Sequence, residues 1–434
     1  MSAIKRFCIQ FAILVGLIVA VEVVARRIEP SLQEPPLSRL NLTVQPFMMF
    51  TAQPRDRRTW TNSITHESVP STLKSNNFGF SELFDFQLTP DPEYLKHHRK
   101  HAGEKLVLFT GGSAAAGYGA TANDRTIASR MESHLNERAG GQRYRVVNLA
   151  MGSWISYQQF IGLSLFGLPL NPDWIVVMDG ANDAQVACPL GSGAGYPMEW
   201  AKFVYLTQYG GNDRSVPEAL LRHSALIRIA TGQKPSPPLP SNLVVDPSET
   251  DKRFDIKVAG LTMAEENRQV EFYLQSQRNV LELFHRANVL FSTQPQLYDN
   301  AVANSYRAAF RPGAADEIRV KLKAELDAYM AQSGNAPCGS QANSYPLGYF
   351  MGRSSLHLME MAARMQAEES SRHVVYYNTE PALPLELKQR EPYFLDNVHM
   401  SDHGQDRLGA FYAQAILSAE RGTAFDLSTF TKGE

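Results

Sequence analysis

The sequence is poor in cysteine and carries almost no net charge. Three cysteines occur among 434 residues, and none lies in a CxxC pair or in a cysteine and histidine cluster with metal-ligand spacing, so a zinc site has no support. Lys and Arg total 42 against 44 Asp and Glu, a balance without the basic excess that favours a nucleic acid. We therefore expect no metal and no nucleic-acid partner.

Two of the cysteines, Cys188 and Cys338, lie in the body of the chain, whereas Cys8 lies in an N-terminal apolar run. If the body is exported, Cys188 and Cys338 could form a disulfide between distant loops. Two free thiols are the alternative, and the sequence leaves this choice open.

The one long apolar run, FCIQFAILVGLIVAVEVVA at 7–25, has basic residues on both flanks. Its length suits a helix that crosses a bilayer. We predict a single-pass cell-membrane anchor over 1–27, with the body of the chain on the periplasmic or extracytoplasmic side. A cleaved signal peptide is the alternative, although Arg26–Arg27 gives a poor cleavage context. Residues 28–104 are interpreted as a stalk and lead-in segment.

Short apolar runs alternate with helical patterns from residue 105 onward. The runs cover 105–110, 145–150, 174–180, 288–296 and 373–378, and the helical patterns cover 123–139, 155–167, 262–287, 350–371 and 402–420. This alternation predicts a five-stranded parallel sheet in a flavodoxin-like three-layer α/β/α sandwich, with strand order 2-1-3-4-5 and a domain over 105–425. Segments 184–260 and 297–347 exceed what that core needs and are predicted to be lid or substrate-groove insertions. Disorder of 232–252 is a local alternative.

A serine lies in the glycine-rich segment GGSAAAGYG at 111–119, directly after the first predicted strand. Such a turn between strand and helix holds Ser113 clear of the sheet, with backbone N–H groups nearby. The segment lacks the lysine of a phosphate-binding P-loop, which excludes that interpretation. A structural turn without chemistry remains the alternative for this segment taken alone.

Two further polar segments follow later strands. Asn182 lies in DGANDA after the third strand, and Asp396 and His399 lie three residues apart just before the last helix. A serine nucleophile needs an imidazole base, and that base needs a carboxylate to fix its tautomer. Because the ends of parallel strands share one edge of a sheet, we expect these side chains to meet Ser113 there. His403, one helical turn beyond His399, is expected to cap or pack.

The order Ser, Asn and Asp-x-x-His resembles the SGNH hydrolase (GDSL-like) family over residues 105–420. The resemblance implies Ser113 as nucleophile, with Asp396 and His399 completing the triad. It also implies an oxyanion hole formed by the N–H groups of Ser113 and Gly152 and by the side chain of Asn182.

The sequence departs from the family pattern in two places. Gly112 replaces the aspartate of the family's GDS motif. The second conserved block of the family, which contains a glycine, corresponds here to NLAMGSWIS at 148–156. In an ungapped alignment that glycine falls on Ser153, and Gly152 lies one position early. Either residue could supply the backbone N–H. Near these blocks, Tyr118, Trp154 and Tyr157 are expected to pack in the core, with stacking on a sugar as the alternative.

The resemblance implies a serine esterase that works through an acyl-enzyme and needs no metal or organic cofactor. The lead-in SNNFGF at 75–80 is similar to that of membrane-linked, polysaccharide-associated members, which implies short acyl groups such as acetyl on envelope carbohydrate as substrates. Two alternatives stay open. One is an O-acyltransferase that uses the same residues, and the other is a catalytically silent envelope scaffold or binding module.

Overall fold

A computed structural model of the chain describes most of the residues that form the sheet and the helices around it. The described residues are 3–32, 42–45, 47–52, 60–62, 64–183, 223–231, 263–297, 320, 324, 345–368, 371–384, 386–425 and 430. Cys188 and Cys338, and most of both predicted insertions, lie outside these residues.

The structure gives bounds for nine strands and nine α-helices within the described part of the chain. The strands are β1 Leu42–Gln45, β2 Met49–Ala52, β3 Trp60–Thr61, β4 Ser68–Val69, β5 Glu104–Gly111, β6 Arg143–Asn148, β7 Trp174–Asp179, β8 Asn288–Thr293 and β9 Val374–Tyr377. The helices are α1 Ala3–Leu32, α2 Pro92–His98, α3 Ile127–Arg138, α4 Ser156–Gly162, α5 Ala225–Thr231, α6 Met263–Leu283, α7 Tyr345–Glu368, α8 Leu387–Arg390 and α9 Asp402–Arg421.

The last five strands form one parallel sheet in the order β6-β5-β7-β8-β9. This is the predicted order 2-1-3-4-5, and all five predicted strands are confirmed. The register pairs Val107 with Trp174 across β5 and β7, and Val289 with Val374 across β8 and β9. The three central strands are almost wholly buried, as expected of parallel strands covered on both faces.

Helices cover both faces of the sheet, which gives the predicted three layers. On one face, α3 and α9 pack against each other and against the sheet around a core that includes Val107, Phe109, Val176, Met178, Leu290, Met131, Leu135, Leu408, Phe411 and Tyr412. On the other face, α6 contacts α4 and α7, and α7 contacts β8 and β9. The carboxyl ends of the strands are left to the connecting loops, where side chains can meet.

The predicted start of the first helix after β5 was wrong. The helical pattern was predicted from residue 123, but α3 begins at Ile127 and the Thr126 hydroxyl caps it by accepting the Ser129 N–H at 3.3 Å. The Asn123 side chain instead accepts the Lys74 N–H at 2.9 Å and donates to the Lys74 carbonyl at 2.8 Å. Asn123 therefore makes a tertiary contact to the segment before β5 and does not belong to α3.

The chain divides into two compact units, Met1–Arg39 with Lys202–Phe254 and Leu40–Ala201 with Asp255–Glu434. In the first unit, the Glu22 carboxylate of α1 accepts hydrogen bonds from the Ser224 hydroxyl and the Ala225 N–H, at 2.7 and 2.8 Å. The predicted transmembrane helix is not supported. Among the described residues, no helix combines the length and the apolar character that a membrane span requires.

Candidate active site

Ser113 lies on a tight turn that begins where β5 ends. The chain folds back at once, because the Gly112 carbonyl accepts from the Ala116 N–H at 2.9 Å and the Ser113 carbonyl accepts from the Tyr118 N–H at 3.0 Å. Within 111–120 Ser113 is the one residue that is not buried. The turn therefore presents its hydroxyl at the carboxyl edge of the sheet.

Asp396 and His399 lie on a loop just before α9. The loop is closed by a hydrogen bond from the Leu395 N–H to the His399 carbonyl at 2.8 Å. One oxygen of Asp396, Oδ1, accepts the backbone N–H groups of Val398 and His399 at 2.8 and 2.7 Å. Its other oxygen, Oδ2, lies 2.7 Å from His399 Nδ1. The three-residue spacing thus places carboxylate and imidazole side by side, as the sequence predicted.

The imidazole of His399 bridges the carboxylate and the serine, because its Nε2 lies 2.8 Å from Ser113 Oγ. Since an ionised carboxylate only accepts hydrogen bonds, Nδ1 carries the proton and Nε2 is free to accept from the hydroxyl. Burial of Asp396 favours its neutral form, but the hydrogen bonds from the His399 ring and from the two backbone N–H groups hold its pKa below the usual range. The carboxylate is therefore ionised where it faces the ring.

The loop after β6 is hydrogen-bonded to the end of β5. The Leu149 N–H donates to the Phe109 carbonyl at 2.7 Å, and the Met151 N–H donates to the Gly111 carbonyl at 3.1 Å. These bonds bring Gly152 beside the Ser113 turn. A side chain on Gly152 would overlap the Tyr118 hydroxyl, which explains the glycine there.

Ser153 adopts a φ of 62°, in the left-handed region that glycine favours. The family's second-block glycine aligns with this position when no gap is allowed. Ser153 therefore has a backbone conformation typical of glycine, at the position where the resemblance aligns a glycine.

Asn182 follows β7 in the chain, and its side chain lies against the Ser113 turn. Its Nδ2 donates to the Trp154 carbonyl at 2.7 Å, and a Cβ on Gly112 would lie 2.8 Å from the same nitrogen. The amide group has two N–H donors, so the bond to Trp154 leaves one for another acceptor. The missing side chain at Gly112 makes room for this amide.

Two polar groups outside the predicted site residues hold the loop that carries Asp396 and His399. The Gln294 side chain, directly after β8, donates to the Val398 carbonyl at 3.3 Å, and the Leu297 N–H donates to the Asn397 carbonyl at 2.8 Å. Gln294 is a polar residue at the end of a predicted strand, which is the signal that could have identified it. Its contact to a loop 104 residues later has no local signature.

Three aromatic or histidine side chains near the site have packing roles. Trp154 and Tyr118 are buried, which confirms the expectation of core packing for both, and the Tyr118 ring lies 5.8 Å from that of His399. The ring of His403 packs against that of Tyr393 at 4.2 Å between centroids, as expected. Within the described part of the chain, no group of three or more His, Cys, Asp or Glu side chains could hold a metal ion.

No protein-family model matches the chain, and no curated protein matches it. Among solved structures, it is similar to a GDSL-like lipase from Bacteroides thetaiotaomicron, at 14% identity over 73% of this chain and 89% of that one, with a TM-score of 0.30. It is also similar to a lipase/acylhydrolase from Enterococcus faecalis, at 12% identity over 73% and 96% with a TM-score of 0.32.

A third similar structure is a variant of an acetyl-xylooligosaccharide esterase from Geobacillus. The identity is 14% over 74% of this chain and 95% of that one, with a TM-score of 0.35.

Proposed function

We propose that this chain is a serine hydrolase of the SGNH type that cleaves esters through an acyl-enzyme. The observation that carries the proposal is the hydrogen-bonded series from Ser113 Oγ to His399 Nε2 at 2.8 Å and from His399 Nδ1 to Asp396 Oδ2 at 2.7 Å. A nucleophile, a base and an orienting carboxylate in this geometry are the components of a catalytic triad.

In the acylation step, Ser113 Oγ forms a bond to the ester carbonyl carbon while its proton passes to His399 Nε2. The negative charge then lies on the former carbonyl oxygen. The N–H groups of Ser113 and Gly152 and the second N–H of Asn182 are proposed to bind it. Collapse of this intermediate breaks the bond to the alcohol, which leaves with the proton from His399. Asp396 stabilises the imidazolium that exists between the two proton transfers.

In the deacylation step, His399 takes a proton from water while the water oxygen attacks the acyl carbon. The second oxyanion is held by the same donors, and its collapse releases the acid and returns the proton to Ser113. Each donor that is placed in advance at the oxyanion can be worth roughly 3–4 kcal/mol in the transition state. The rigid attachment of Asn182 to the Trp154 carbonyl supports such advance placement.

The proposed substrates are short acyl esters, such as acetyl groups on carbohydrate. The sequence supports this class through the motif order and the lead-in segment 75–80. The location outside the cytoplasmic membrane stays a prediction.

A fluorophosphonate probe tests the nucleophile directly, because it reacts with an activated serine. The full-length chain should be labelled at Ser113, and Ser113→Ala should abolish both labelling and p-nitrophenyl acetate hydrolysis. Ser133→Ala is the matched control, since Ser133 is exposed on α3 and donates to the Ser129 carbonyl; it should keep full activity. An unlabelled wild-type chain would contradict the hydrolase and favour the scaffold.

Product analysis with an acetylated donor and a glycan acceptor separates hydrolysis from transfer. Free acetate as the main product is the expected result. If the acetylated acceptor is the main product, the protein is an acyltransferase that uses the same three side chains, and the proposed esterase function is wrong.

A further inference from the structure

Asp183, the residue after Asn182, is a buried acid that the mechanism above does not use. Its side chain is 7% exposed. Its carboxylate accepts the Ser156 N–H at 3.0 Å through Oδ2 and the Ser156 hydroxyl at 2.7 Å through Oδ1. Ser156 is the first residue of α4, so Asp183 joins the end of β7 to the start of that helix.

Adjacent residues thus bind the same short segment of chain. Asn182 donates to the Trp154 carbonyl at 2.7 Å, and Asp183 accepts from Ser156 two residues later. That segment continues directly from Gly152, the proposed second oxyanion donor. Together the two contacts fix the distance between the loop after β6 and the loop after β7.

We propose that Asp183 is a positioning residue that holds the oxyanion donors of these two loops in register through Ser156. The inference rests on the proposed function, since it assigns Asp183 a part in that same oxyanion hole. Asp183 itself does not touch the reacting atoms. Its effect passes through the Asn182 amide, whose position relative to the loop that carries Gly152 it holds.

The surroundings of Asp183 show what the side chain must supply. Asp179, at the end of β7, is also buried, and the Gln277 side chain donates to it at 3.4 Å. Burial raises the pKa of Asp183 well above its usual range, and the nearby charge of Asp179 raises it further. An asparagine of the same shape can place its oxygen toward the Ser156 N–H and its NH2 group toward the Ser156 hydroxyl oxygen, which can accept. Asp183→Asn should therefore keep both contacts.

Kinetic constants of variants distinguish positioning from a general loss of stability. Asp183→Ala should lower kcat for p-nitrophenyl acetate by roughly 10- to 100-fold with KM within about threefold, because oxyanion donors act in the transition state. Asp183→Asn should stay within about threefold of wild type. Ser156→Ala, which removes the hydroxyl donor and keeps the N–H, should lower kcat several-fold.

The decisive measurement repeats Asp183→Ala in a chain that carries Asn182→Ala. If Asp183 acts through Asn182, its loss should cost little more there, on the order of threefold or less. Active sites are titrated with the fluorophosphonate, so that kcat refers to folded enzyme. An equal loss in both backgrounds, or a normal kcat per titrated site, would overturn the positioning role.

If the Asp183→Ala variant does not fold, the kinetic constants of Ser156→Ala test the positioning role instead. An unchanged kcat for Ser156→Ala would then overturn the inference, and a several-fold loss that disappears in the Asn182→Ala background would support it. Failure of the proposed function is distinguishable, because in that case the wild-type chain is neither labelled nor active.

Discussion

Replacing Gly112 by alanine would place a methyl group against the amide of Asn182. The added carbon would lie 2.8 Å from Asn182 Nδ2, whereas ordinary contacts of a Cβ begin at 3.4 Å. The amide would have to move by roughly half an ångström. It cannot do so freely, since the same nitrogen donates to the Trp154 carbonyl at 2.7 Å.

The size of the effect follows from what the amide is proposed to do. Complete loss of one oxyanion donor lowers kcat by roughly 10²–10³. A displaced donor keeps part of that effect, so we expect Gly112→Ala to lower kcat by about 10- to 100-fold, which corresponds to roughly 1.4–2.7 kcal/mol in the transition state. KM should change little. Gly112→Asp should cost at least as much, although aspartate is the family's residue at this position.

Steady-state hydrolysis of p-nitrophenyl acetate, with active sites titrated, measures this effect. Gly112→Ala in an Asn182→Ala chain should cost less than about threefold, because the methyl group then meets no amide. Gly103→Ala is a control for backbone strain: its φ is 76° and no atom lies within 4 Å of the added carbon, so Tm should fall while kcat holds. A wild-type kcat for Gly112→Ala, or an equal loss without the Asn182 amide, would refute the reasoning.

Three further outcomes are expected. Asp396→Asn should lower kcat by roughly 10³–10⁴ with Tm nearly unchanged, because an amide does not hold the proton of His399 on Nδ1 as the carboxylate does. A loss below tenfold would contradict the triad. His403→Ala should leave kcat within about twofold, since its ring packs on Tyr393. If His403→Ala abolished activity and His399→Ala did not, the base would be His403 and the assignment of His399 would be wrong. Burial raises the pKa of Asp179 from 3.8 to about 6. The folded chain therefore binds a proton that the unfolded chain releases, and stability should fall as pH rises from about 4 to about 6. Asp179→Asn should flatten that part of a plot of Tm against pH, and an unchanged slope would contradict the assignment.

The sheet and the polar side chains that meet at its edge were predictable because their signals are local. A strand covered on both faces must be apolar along its length, and the segments at 105–110 and 174–180 show this directly. Ser113 and Asn182 follow strands that end at one edge, so sheet order alone brings them together. The three-residue spacing of Asp396 and His399 fits a single turn. For these side chains, the position in the sequence pattern was enough to predict where they lie in the fold.

Gly112 shows where local pattern was insufficient. In the sequence it is a departure from a family motif. In the structure, the space that a side chain would fill at Gly112 holds the amide of Asn182. The two residues are distant in the chain, and their contact exists only because β5 and β7 are neighbours in the sheet.

The sequence by itself predicted the five strands, their order in the sheet and the Ser113, Asp396 and His399 side chains that meet at its edge, because each signal is a periodicity or a short segment of chain. Only the tertiary structure decided how the site is held together. Asn182 donates to the Trp154 carbonyl, Asp183 accepts from Ser156, and Gln294 donates to the loop that carries His399. These are hydrogen bonds between segments that lie far apart in the chain. Their geometry depends on how helices and strands pack, and no local pattern of residue types encodes it.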